Sequence, residues 1–133
     1  MNGRSRHGRD GGAISVVMMF LVVITLGGAG LIVDGGRAMV ARRHASNTAE
    51  AAARAAVATA TPVGGFDTGR ARAAALEYVS RAGVASSDVQ VLVGIDSVSV
   101  TVTEHRATVF LILGGQETMT VSATGTARIV YSD

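Results

Sequence analysis

Cysteine is absent from the chain, which excludes disulfides, thiolate metal sites and a cysteine nucleophile together. Tryptophan is missing as well, aromatic residues make up 4%, and the single proline is Pro62. With 48% hydrophobic residues and 17 Gly, any core is built mainly from Ala and Val. Such a core is shallow, and it suits close helix contact and β-sheet better than a deep ligand pocket, which needs larger apolar groups. The 133 residues have room for one small domain, since domains usually run about 100–150 residues.

The net charge of +2 would suit nucleic acid only if the basic residues formed a stripe, and they do not. Arg4, Arg6 and Arg9 precede an apolar run, and Arg37, Arg42, Arg43 and Arg54 follow it. Residues 61–133 hold five Arg against seven Asp and Glu, a balance of −2. The basic residues therefore flank a membrane segment, where they meet anionic headgroups, and no nucleic-acid partner is expected.

Ala13 to Val33 is uncharged over 21 residues, and a helix of that length spans roughly the 30 Å hydrocarbon layer. A secretory signal peptide shares the basic start and the small residues at Gly28-Ala29-Gly30. Against it, the run continues through Leu31, Ile32 and Val33 with no polar region before a cleavage site. A membrane anchor is the expectation. Arginines balance across the run, so the positive-inside comparison decides little. The short head beside a much larger body favours N-terminus inside and C-terminal domain outside.

From Arg37 to Ala60 the chain reads as one helix, with ten Ala among residues 41–60, the best helix former. Ala41, Ala45, Ala49, Ala52 and Ala56 make a small-residue stripe, opposite a polar one of Arg43, Asn47, Glu50 and Arg54. Thr61 to Phe66 is a loop. Thr68 to Ala82 reads as a shorter helix with Ala71, Ala75, Val79 and Ala82 on one face and Gly83 as its stop. The period then changes from 3.6 to 2: Val89, Val91, Val93 and Ile95, then Val98, Val100 and Val102, alternate with mostly polar neighbours. Val109 to Leu113 is a short apolar run closed by Gly114-Gly115, and Met119 to Ile129 alternates again. Three or four strands with short connections make an antiparallel meander with one buried face. The natural object for that face to cover is the Ala-rich helix, whose small-residue stripe needs a close partner in either the sheet or another helix.

Chemistry-bearing motifs are few. His7, His44 and His105 share no ligand spacing. Gly28-Ala29-Gly30 lacks the third glycine of a dinucleotide loop. Asp96-Ser-Val-Ser places Val98 and Val100 where a metal-holding loop needs serines, and Asp96 reads as a turn residue. No metal, cofactor or enzyme activity is expected. Gly27, Gly28 and Gly30 instead suit close helix packing in a membrane. Asp34-Gly35-Gly36-Arg37 reads as a membrane-edge joint: Asp34 ends the apolar run and pairs with Arg37, and two glycines cost about 2 kcal/mol of helix propensity relative to alanine, which favours a bend.

The stretch from Arg9 to Ala56 resembles the N-terminal region of the Tad (tight-adherence) pilus-assembly proteins of the TadE/TadG-like group. The similarity lies in the Gly-rich junction, the apolar helix, Val-Asp-Gly-Gly-Arg at 33–37, and an Ala-rich helix carrying Ala41, Arg42, Ala45, Asn47, Ala49 and Glu50. The closing strands are similar too. The resemblance implies a minor pilin-like subunit of a Flp-type pilus or related secretion apparatus, anchored in the cytoplasmic membrane. TadE-like members are cut after a Gly with a Glu five residues on. Aligned on Gly12 that position is Val17, which favours an uncleaved, TadG-like anchor.

The expected architecture is therefore α+β and pilin-like. A cytoplasmic basic head at 1–12 leads into a transmembrane helix at 13–33 and an Ala-rich helix at 34–60. An extracytoplasmic domain at 61–133 holds the short helix and the sheet. Gly27, Gly28, Gly30 and the alanine stripe are expected to pack against other pilus or assembly-platform subunits in a homo- or hetero-oligomer, with membrane lipids around the anchor. An independent envelope binding or adhesion module, folding alone when cut at Thr61, is the alternative.

Overall fold

The computed structural model describes residues 10–61 and 64–130. The basic head with Arg4, Arg6, Arg9 and His7 lies outside the described residues, as does Pro62. Helix α1, Asp10–Val57, is followed by α2, Thr68–Arg81. Strands β1, Val89–Val93, β2, Ser97–Ala107, and β3, Thr118–Arg128, complete the fold. They form one antiparallel sheet in the order β1-β2-β3. This is the expected α+β arrangement with three strands. The apolar run Val109 to Leu113 adds no fourth strand, because Leu111–Gly114 closes into a 3-10 turn ending at Gly115 with φ 85°.

Helix α1 is continuous over 48 residues, about 72 Å at 1.5 Å per residue. It passes through Gly35 and Gly36 without interruption. Its two halves meet different surroundings. Every large apolar side chain from Ile14 to Leu26 is more than half exposed, and this part is long and apolar enough to cross a membrane. The second half turns Ala41, Ala45, Ala49, Ala52 and Ala56 into the core, each 1% exposed or less.

What they meet follows from the period of the strands. Register pairs Val98 with Val93 and Ala127, Val100 with Val91 and Gly125, and Val102 with Val89 and Ala123. These residues share the inner face that packs on α1 and α2. Ile95 falls in the turn between β1 and β2, almost wholly exposed. The outer face is hydroxylic: Ser99 hydrogen-bonds Thr126 at 2.9 Å, and Thr101 bonds Thr124 at 2.8 Å.

Small residues permit the close approach of helix and sheet. A Cβ placed on Gly125 would stand 2.3 Å from the Glu50 backbone nitrogen, so only glycine fits there. Helix α2 starts at Asp67, whose carboxylate accepts from the Arg70 N–H at 2.9 Å. It ends ahead of Gly83, whose φ of 81° is the left-handed stop that its sequence announces. Ala71, Ala75 and Val79 of α2 are buried, with Ala82 half-buried. The pairs Glu50–Arg54 and Glu77–Arg81 form on the exposed faces.

Candidate functional site at the helix–domain junction

Where the apolar half of α1 gives way to the core half, the loop between β2 and β3 folds back onto the helix. Asp34 Oδ1 accepts a hydrogen bond from the Val109 N–H at 3.0 Å. Its Oδ2 accepts from the N–H groups of Phe110 and Leu111, both at 2.9 Å. The carboxylate thus caps the start of the 3-10 turn Leu111–Gly114, where backbone donors would otherwise lack partners. It is 1% exposed. The expected Asp34–Arg37 pair is absent from the ion pairs among the described residues; Arg37 acts on Asp34 only through its nearby charge. Three bonds from fixed backbone donors occupy both oxygens in place of one flexible guanidinium.

One turn earlier, Gly30 supplies the seat for the loop. A Cβ there would lie 2.4 Å from Phe110 Cγ, so the ring occupies the space a side chain would need. Gly27 lines the adjoining cleft with Phe110 and Leu113. Gly28, Gly35 and Gly36 have open space around them. Gly28 and Gly35, seven residues apart, share one face of the helix, and Met39 continues it, 63% exposed.

A polar cluster tightens the junction from the sheet side. Glu104, 7% exposed, continues the inward period of Val98, Val100 and Val102. It hydrogen-bonds His44 of α1 through the His44 Nδ1, and accepts from Arg106 Nη2 at 2.8 Å. Burial opposes ionisation of this carboxyl, yet the hydrogen bonds and positive charge of His44 and Arg106 outweigh it and hold Glu104 below its usual range. The period of two alone places Glu104 inside; its partner, 60 residues away, leaves no mark in the local pattern.

Of the two partners open to the alanine stripe, the chain's own sheet and another helix, the fold supplies the first, together with α2. Ala41, Ala45, Ala49, Ala52 and Ala56 meet the sheet and α2, which leaves them no exposed surface to offer another subunit. Among the described residues no three His, Asp or Glu side chains converge as metal donors, and no buried side-chain polar atom lacks a hydrogen-bond partner.

The helix that carries Asp34-Gly-Gly-Arg and the alanine stripe as one unbroken element is what the family comparison finds. Residues 12–59 match the Tad family, described as "Putative Flp pilus-assembly TadE/G-like". The Tad match bears out the resemblance read from these residues. It includes Gly30, Asp34 and the whole alanine stripe, and it stops before α2 and the sheet. No curated protein and no solved structure matches the chain. The apolar loop and the sheet around the Tad-type helix thus stand on the structure described above.

Proposed function

We propose that this chain is a membrane-anchored, minor pilin-like subunit in the assembly of a Tad/Flp-type pilus or related secretion apparatus, with its N-terminus inside and its domain outside. The Tad match ties the chain to pilus assembly. The observation that carries the finer reading is the double use of α1: the same helix is the apolar span and the central core element of the domain. A domain built around its own anchor is held to the membrane rigidly. Such a subunit acts by presenting a surface, a structural role rather than a catalytic one.

The surface left for partner subunits is the side of α1 that neither the sheet nor the loop covers. Gly28, Gly35 and Gly36 on that side let a second helix approach closely, and Ile32, Met39 and Val40 are exposed beside them. Gly28 and Gly35 with Met39 replace the alanine stripe as the expected contact.

An independent binding module is less well supported, because a fragment begun at Thr61 would leave Val98, Val100 and Val102 without the alanines that cover them. Protease shaving of intact cells and of spheroplasts, combined with N-terminal sequencing of the mature protein, tests the reading. A domain cut only from outside, on a chain that retains Ile14 to Val33, is the expected result. Protection in intact cells and cleavage only from the cytoplasmic side would refute the orientation.

A further inference from the structure

We propose that the loop between β2 and β3 is a second membrane contact, its tip Val109 to Leu113 immersed in the hydrocarbon of the leaflet nearest the domain. The proposal rests on the reading of α1 as a membrane span.

Depth is the first argument. The loop is fastened at Asp34, the first charged residue after the span, and lies against α1 on the N-terminal side of it. Phe110 covers Gly30, and an open cleft of about 480 Å³ separates Leu113 from Val23, Leu26 and Leu31. From Asp34 back to Val23 is eleven residues, about 16 Å along a helix. That is roughly half the 30 Å hydrocarbon layer. A loop running beside this part of α1 cannot stay in water while the helix is in lipid.

Composition is the second. Val109 to Gly115 carries no polar side chain, and Leu113 is 86% exposed, with Ile112 49% and Val109 43%. In water that is an unfavourable display of apolar surface on a small domain; beside an apolar span it continues the same surface. The cleft itself is bounded almost wholly by apolar atoms of the span and the tip, a shape that acyl chains fill.

The third is the backbone. Irregular chain at membrane depth is tolerated only where its polar groups are satisfied inside the protein. Here the N–H groups of Val109, Phe110 and Leu111 go to Asp34. Leu113 donates to Phe110, Gly115 to Ile112, Gln116 to Leu111 and Thr108 to Glu117. The Thr108 hydroxyl closes the neck by donating to the Gln116 carbonyl. Asp34 is then a membrane-edge anion whose work is to make this loop compatible with lipid.

Since the chain has no Trp, Leu113→Trp gives a single reporter at a position where little packs against the side chain. The full-length variant is placed in phosphatidylcholine vesicles with and without acyl-brominated lipid, beside Ile24→Trp in the span and Ile95→Trp at the far turn of the sheet. Expected are blue-shifted emission from Leu113→Trp, a quenching loss comparable with Ile24→Trp, and no quenching of Ile95→Trp. Quenched Ile24→Trp with unquenched, red-shifted Leu113→Trp leaves the anchor standing and overturns the loop insertion. Blue-shifted but unquenched Leu113→Trp shows a protein partner covering the tip and also overturns it. An unquenched Ile24→Trp refutes the span, and the proposal falls with it.

Discussion

Gly125 of β3 and Ala49 of α1 meet backbone to backbone: a Cβ on the glycine would stand 2.5 Å from the Ala49 carbonyl carbon. No rotation of a side chain relieves that overlap, because the atoms in the way are main chain. Gly125→Ala should therefore push helix and sheet apart and destabilise the domain by roughly 1–3 kcal/mol, the usual cost of overpacking. Gly125→Val should cost more. Denaturant unfolding of the two variants in detergent, followed by far-UV circular dichroism, checks the order; equal stability of Val and wild type would refute the close contact.

Asp34→Ala removes the acceptor for three backbone donors at once. These three bonds are what hold the loop on the helix, so without them the loop should detach from α1 and its donors turn to other partners. Hydrogen exchange at Val109, Phe110 and Leu111 reads this directly. Protection at all three amides should collapse in Asp34→Ala, while Asp34→Asn, which keeps one acceptor oxygen, should retain part of it. Exchange in β1 should change little.

The Glu104 cluster predicts an acid-sensitive domain. Its carboxyl is depressed in the folded state from the ordinary value of 4.5, so its contribution is fully present above that pH and is lost as pH falls through the lower folded value. Glu104→Gln should be less stable at neutral pH by about 1–3 kcal/mol, and its stability should vary less below pH 4.5 than that of the wild type. Parallel pH curves for the two proteins would rule the cluster out as the source.

Two leucine substitutions separate folding from assembly. Ala49→Leu places a large side chain in the buried core, opposite Gly125, and should lower folded yield. Gly28→Leu projects into open space and should leave the domain's melting unchanged while reducing co-purification with partner subunits. Unchanged co-purification of Gly28→Leu would show that this face is not the contact.

How much of this was legible in the sequence depends on the range of the interaction. The caps of α2 at Asp67 and Gly83 are local, and the inward face of β2 follows from a period of two. The apolar length before Asp34 is equally plain. The junction is different, because Asp34 and Phe110 are 76 positions apart and neither segment's pattern names the other. At Asp34-Gly-Gly-Arg the local signal is glycine propensity, which favours a bend, while the helix runs on through Gly35 and Gly36. The loop that grips Asp34 and the core that grips Ala41 lie on either side, and the local pattern announces neither. A short apolar run such as Val109 to Leu113 also reads alike as strand or turn until its surroundings are known.

A helix without a break makes the domain a pointer. From Val33 to Val57 the axis extends about 36 Å, so a span tilted by about 20° from the bilayer normal, the average for membrane helices, sets the far end of α1 about 12 Å to the side of where an upright span would hold it. Whatever leans on the buried end, a thicker bilayer or a neighbouring helix, thereby re-aims the exposed one.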